Sequence, residues 1–236
     1  MKSIYIGVCK TRNDKRFEES FQNLTDSLCR KYSICQMIVK DMFLPDAQNK
    51  ITADFLQGDY DYLLLLDDDH WGHTVEMVET LINANTYVAT IKTYSRHYPY
   101  SCVILKRIPN NLVLPIETGE GYVECDLTGF PMTLISRGTF KHLEQPYFRP
   151  YEICGRDWNS DVDFFLRLGE KGIKPIGCFQ HTLNHDKITE ENVQQYRYDE
   201  RFTGNNIANW RLLKALESGT FKLEDLPKEI LCHSEP

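Results

Sequence analysis

An α/β fold on a doubly wound, mostly parallel sheet is what this sequence predicts, with a smaller mixed β region and a helical C-terminal tail after it. Three observations carry the prediction. Strand-like and helix-like stretches alternate from the N-terminus to Lys92, the order that lays helices on the faces of a parallel sheet. The run "YLLLL" (62–66) is apolar without a break, as in a strand covered on both faces. The 236 residues are 42% hydrophobic and 26% charged, the balance of a globular chain long enough for one full core.

The elements follow in order. "SIYIGVC" (3–9) is apolar and β-rich and makes a first strand. In "FEESFQNLTDSLCRKY" (17–32), Phe17, Phe21, Leu24 and Leu28 fall at helical spacing and give one apolar face. "SICQMIVK" (33–40) is a second strand, and "DAQNKITADFL" (46–56) a second helix stopped by Gly58. "YLLLL" is the third strand. "TVEMVETLINA" (74–84) puts Val75, Val78, Leu81 and Ile82 on one face, with Glu76 near the positive end of the helix. "YVATIK" (87–92) is the next strand. From about Tyr94 the pattern changes: "SCVILKRI", "NLVLPIE" and "GYVECDL" are short strand-like pieces, "KRIPNN" is a turn between two of them, and "ISRGTFKHL" (135–143) is a short helix. "SDVDFFLRLGEKG" (160–172) is a helix that buries Phe164, Phe165 and Leu168 and stops at Gly172. "KPIGCF" (174–179) is a last short strand, and scattered helical pieces such as "ANWRLLKALESG" follow.

Composition narrows the function classes. The net charge of −7 argues against direct nucleic-acid binding, which rewards basic surfaces. No apolar run reaches the length of a membrane span. The N-terminus turns polar after a brief strand-like run, so no signal peptide is expected. The eight cysteines form no CxxC pair and sit mostly in apolar runs, which speaks for a reducing, cytoplasmic setting, the host cytoplasm if the chain is virus-encoded.

The chemistry concentrates in "DYDYLLLLDDDHW" (59–71). Three adjacent carboxylates, Asp67, Asp68 and Asp69, end a buried strand, where their repulsion is least screened. Ligands of open α/β sheets bind beyond the carboxyl ends of the strands. Alternate side chains of an extended segment share a face, so Asp67 and Asp69 are the pair to converge on one hard cation. A divalent ion would neutralise them and offer open positions to a diphosphate. The plain alternative is an acidic turn that caps the next helix through Asp69 or Thr74.

A strand ending in DxD after a βαβα start resembles the GT-A-type glycosyltransferases, particularly family-two-like and virus-encoded members. Further segments match in order over residues 3–186. "SIYIGVCKTRNDKRFEESFQNL" is similar to the first strand, nucleotide loop and first helix of that family, "NKITADFLQGDYDYLLLLDDDHW" to its Asn-containing helix and DxD strand, "DLTGFPMTLISRGTF" to its small-residue acceptor-side loop, and "SDVDFFLRLGEKGIKP" to the helix that carries the catalytic acid. The resemblance implies a catalytic domain over 1–186 with an extension over 187–236, and a metal-dependent transfer of a hexosyl group from a UDP- or GDP-sugar. Asp161 would be the catalytic base. Thr11, Arg12, Asn49, Asp67 and Asp68 would contact the nucleotide sugar, while Asp67, Asp69 and His185 would hold Mn2+ or Mg2+. Gly129 and Trp158 would lie on the acceptor side. Ser160 stands where the family has Glu, which leaves Asp163 and Asp157 as fallback bases. His181 is the rival of His185, and His70, His73, His97 and His142 read as surface or packing histidines. "YSRHYPY" (94–100) is either a pocket lining or a self-packed loop.

The acceptor implied is a glycan, lipid, protein or nucleobase. An inverting reaction follows from Asp161 as base. The tail would cover the acceptor site, form a homodimer surface or dock on a membrane. Three other readings stay open: a nucleotidyltransferase on a related sheet, a metal-dependent phosphatase of the haloacid dehalogenase type, and an inactive carbohydrate-binding protein.

Overall fold

The computed structural model describes residues 2–96, 100–108, 112–153, 156–158 and 160–193, and the statements below refer to these. The N-terminal part alternates as expected: β1 (Ser3–Lys10), α1 (Lys15–Leu28), β2 (Ser33–Lys40), α2 (Leu44–Gln57), β3 (Tyr62–Asp67), β4 (His70–Trp71), α3 (Val75–Asn83) and β5 (Val88–Thr93). Next come β6 (Leu105–Ile108), β7 (Leu112–Pro115), β8 (Tyr122–Glu124), β9 (Met132–Ser136), a 3-10 helix (Arg137–His142), β10 (Tyr151–Ile153), β11 (Arg156–Trp158), α4 (Ser160–Glu170) and β12 (Ile176–His185).

One large sheet runs in the order β2-β1-β3-β9-β5-β12-β4, with β8 also on β12. Strands β2, β1, β3, β5 and β12 share one direction, and β9, β4 and β8 oppose it. The sheet is therefore mostly parallel but mixed. Its central β9 is a strand where the sequence suggested an acceptor-side loop. Gly129, Pro131 and Gly138 bracket only a short apolar run, and its neighbours β3 and β5 supply the ladder that makes it a strand. The last strand is longer than "KPIGCF". After an irregularity between Cys178 and Thr182, β12 continues alongside β5 to Leu183 and then pairs with β4 as far as His185.

The apolar strands feed both faces. Ile4, Ile6, Val8, Leu64 and Leu66 pack under α1 and α3 with Phe17, Phe21, Leu24, Leu28, Val78 and Leu81. Tyr5, Leu63 and Leu65 point the other way, to α2 and α4, where Ile51, Phe55, Phe164, Phe165 and Leu168 meet them. Period-two alternation thus explains the unbroken "LLLL": each leucine has a helix layer above or below it. Each such side chain contributes about 1.5–3 kcal/mol on burial. Gly7 is required because α2 lies so close that a Cβ there would overlap Ile51. Thr74 caps α3 by accepting from the Met77 amide. Gly172, at φ +73°, ends α4.

A smaller cluster holds Tyr94, Cys102, Cys125, the residues Ile104 and Ile116 that flank β6 and β7 in the chain, and Val193 from the start of the C-terminal extension. Burial pushes the Cys9 and Cys178 thiols up to about 12, as expected of packing groups. Residues 194–236, most of the expected extension, lie outside the described residues. Among the described residues no helix is long and apolar enough to cross a membrane.

Candidate metal and nucleotide site

The carboxyl ends of β1, β3, β5 and β12 open on one side of the sheet, and the acid cluster stands there. Asp67 is the last residue of β3, Asp68 and Asp69 form the turn, and β4 then pairs with the end of β12. The three aspartates have three different surroundings.

Asp68 is turned inward and is 6% exposed. Its Oδ2 accepts from the backbone amides of Thr11 and Arg12, the latter at 2.6 Å, and Thr11 Oγ1 lies 3.3 Å away. It therefore staples the loop after β1 to the end of β3. Asp67 accepts no side-chain hydrogen bond from the described residues. Burial, then the neighbouring charges of Asp69, Asp161 and Asp68, push its carboxyl well above the usual range. A cation in the mouth would reverse that balance.

Asp69 is the centre of the charged contacts. His185 Nε2 lies 3.2 Å from its Oδ2, Arg96 Nη1 3.0 Å and Arg12 Nη1 3.8 Å from the same oxygen. His70 Nδ1 lies 2.9 Å from Oδ1. Burial works against the charged form, but the contacts with His185 and His70 outweigh it and hold the carboxyl below its ordinary range. His185 Nδ1 is 2.7 Å from the Tyr94 carbonyl, which can only accept, so Nδ1 carries the proton. In the neutral ring Nε2 then presents a lone pair to a carboxylate oxygen. Only a second proton or a cation between the two atoms makes that approach attractive. A ring nitrogen donating to a backbone carbonyl while its partner faces a ligand position is the usual arrangement of metal-binding histidines.

The frame around these residues is tightly tied. The Asp186 amide donates to the Asp69 carbonyl at 2.7 Å. The Asp186 carbonyl accepts from Arg16 Nη1 at 2.7 Å and Trp71 Nε1 at 2.8 Å, and Arg16 stacks over Trp71. His181 instead meets Thr80 Oγ1 at 3.0 Å on α3, away from the acids. Of the two rivals, the structure brings His185 to Asp69.

His70, read from the sequence as a surface or packing histidine, belongs to this cluster. Ligand atoms of Asp69, His70 and His185 all lie within 4.8 Å of one another. The signal in the sequence was its place directly after DxD on a strand end; the pairing of β4 with β12 was not legible. His73 is buried and is a packing group: Ser20 Oγ accepts from its amide at 2.8 Å and meets its Nδ1 at 2.9 Å. His142 packs edge-on against Tyr87.

Across the mouth, α4 begins with Ser160 and Asp161. Ser160 is buried and donates to Gln48 Oε1. Asp161 Oδ1 accepts from the Val162 amide at 2.8 Å. Burial raises its carboxyl to about 6, although that backbone bond works against the shift. Gly129 faces it, since a Cβ there would come within 3.7 Å of Asp161 Oδ2. Of the fallback bases, Asp163 is paired with Arg167 at 2.8 Å, and the Asp157 and Trp158 side chains lie outside the described residues, as does His97. Asn49 uses both ends of its amide on the Phe148 backbone, at 2.7 and 3.0 Å, so the structure gives it a tie between α2 and the segment before β10.

The sequence matches no known protein family and no curated protein. Solved structures do match, 238 chains in all. One is the crystal structure of A197 from STIV, with a TM-score of 0.52 and 16% identity over 81% of this chain and 87% of that one. At that identity the likeness is one of fold alone.

Proposed function

We propose that the chain is a metal-dependent glycosyltransferase that moves a sugar from a UDP- or GDP-sugar to an acceptor hydroxyl with inversion. The observation that carries the reading is Asp161. A carboxyl with its pKa raised to about 6 stands beside a glycine at the same mouth that holds Asp67, Asp69 and His185. The ordered resemblance of residues 3–186 to GT-A enzymes supports the same reading.

Asp69 and His185 would hold the divalent ion, manganese or magnesium, with Asp67 beside it or on the donor ribose. The facing lone pairs of His185 Nε2 and Asp69 Oδ2 fit a cation. When bound, such an ion stabilises the charge that develops on a leaving diphosphate. Arg12, partly exposed and 3.8 Å from Asp69, and Arg96 are cations within reach of phosphate oxygens. The Asp68 staple keeps the loop of Thr11 and Arg12 against the mouth, so its part in donor binding is to position that loop. Asp161 would take the proton of the acceptor hydroxyl. A base poised about one unit below neutral pH is ionised there yet still basic enough to accept a proton. Gly129 leaves room for the acceptor, with Trp158 as a stacking surface for its sugar or base.

Two other readings fit less well. A haloacid dehalogenase-type phosphatase places its nucleophilic Asp on the first strand, and β1 here ends in Cys9 and Lys10. A nucleotidyltransferase would need a Gly-rich phosphate loop after β1, and "GVCKTRNDK" has one glycine. The test is incubation with a panel of nucleotide sugars and manganese, with products read by mass spectrometry. Release of nucleoside diphosphate, by transfer or slow hydrolysis, that disappears in Asp161→Asn supports the proposal. Release of pyrophosphate from nucleoside triphosphates supports nucleotidyl transfer instead.

A further inference from the structure

We infer that His70 is a third protein ligand beside Asp69 and His185, and that this two-imidazole, one-carboxylate set binds a divalent transition-metal ion without a nucleotide and in preference to magnesium. The inference rests on the reading that this mouth holds a metal, and it names which metal class this chain is built for.

His70 is 4% exposed, and neither of its ring nitrogens has a hydrogen-bond partner among the described residues. A neutral imidazole carries one donor and one acceptor, and buried polar groups are ordinarily paired. Nδ1 lies 2.9 Å from Asp69 Oδ1 but off the direction of a hydrogen bond. It is therefore a buried nitrogen held against a carboxylate oxygen without the geometry of a well-formed hydrogen bond. His185 brings its Nε2 to hydrogen-bond distance, 3.2 Å, from Oδ2 of the same carboxylate, its other nitrogen committed to the Tyr94 carbonyl. Ligands held about 2.0–2.1 Å from one ion stand roughly 3.0–3.4 Å apart at neighbouring positions, close to both separations.

The placement comes from the sheet. His70 and His185 are directly opposite residues of the antiparallel β4/β12 pair, and their rings stack at 4.0 Å. The Trp71 and Arg16 bonds to the Asp186 carbonyl hold that pair in register. Arg96 reaches the same Oδ2, so an ion bound there shares that oxygen with Arg96 or displaces it. Imidazole nitrogen suits manganese, cobalt and zinc, whereas magnesium prefers oxygen and keeps its waters.

The experiment is calorimetric titration of the full chain with Co2+, Zn2+, Mn2+ and Mg2+ in the absence of nucleotide. X-ray absorption at the metal edge of the wild-type complex accompanies it. The expected result is one high-affinity site for Co2+ and Zn2+, weaker Mn2+, and Mg2+ unable to compete. The edge spectrum should show two imidazole ligands, and His70→Gln should weaken Co2+ binding at least tenfold. Should a His70 variant fail to fold, the imidazole count from the wild-type protein decides alone. A single imidazole, or unchanged Co2+ affinity in folded His70→Gln, overturns the inference. Metal that binds only with a nucleoside diphosphate and ignores His70 also overturns it while leaving the transferase reading intact. Absence of metal binding under both conditions overturns both.

Discussion

His70 stacks on His185 at a ring separation of 4.0 Å because the two residues are paired across β4 and β12. The turn of Asp68 and Asp69 is what brings β4 there. Backbone pairing thus sets the geometry of the charged cluster, and side-chain substitutions within it should change binding more than fold.

Asp161 gives a test of sign. Its folded pKa of about 6 lies above the ordinary aspartate value of roughly 4, so the native chain holds this proton more tightly than the unfolded chain. The stability it lends is complete below the unfolded pKa and is lost as pH rises through about 6. Asp161→Asn should therefore be more stable than wild type at pH 7–8, by on the order of 1–3 kcal/mol, and gain nothing near pH 4. Urea unfolding at the two pH values checks this. Transfer activity in the wild type should rise through an acid limb near 6 and be lost in the variant.

Asp68→Ala should read as a loop defect. It removes the acceptor of the Thr11 and Arg12 amides, at a cost of about 0.5–1.5 kcal/mol for each hydrogen bond lost, since both residues are open to water. The urea midpoint should fall with an unchanged m-value. Nucleotide affinity should drop with it, while metal binding in the absence of nucleotide should be retained.

Asn49→Ala separates a structural tie from a nucleotide contact. Both of its hydrogen bonds go to Phe148. The expected loss is stability of about 1–3 kcal/mol, with nucleoside diphosphate affinity unchanged when measured well below the melting temperature. A selective loss of affinity in a fully stable variant would instead restore the donor-contact role implied by the family resemblance.

The sequence made the helices and the parallel strands legible because each has a strong period. Phe17, Phe21, Leu24 and Leu28 mark α1, and the leucines of β3 mark a strand buried on two faces. The strands that escaped were short or polar. Met132–Ser136 is apolar for too few residues to announce itself, and it is a strand because β3 and β5 leave a slot between them. "QHTLNH" has one apolar residue, Leu183, so its continuation of β12 depends on β5 and β4. In the site, DxD was readable from type and order, and His185 was implied by the family resemblance alone. The inward turn of Asp68 and the inclusion of His70 were not, since both depend on contacts between residues far apart in the chain.

Metal-dependent nucleotide binding at Asp69 is tested most directly by a thermal-shift panel of nucleoside diphosphates and their sugars, with and without manganese, on wild type and Asp69→Ala. A ligand that binds only the native state raises the melting temperature by mass action. A metal-bridged diphosphate site should give a manganese-dependent rise with one nucleotide class and none in Asp69→Ala. A rise that ignores Asp69, or no rise with any nucleotide, would contradict it.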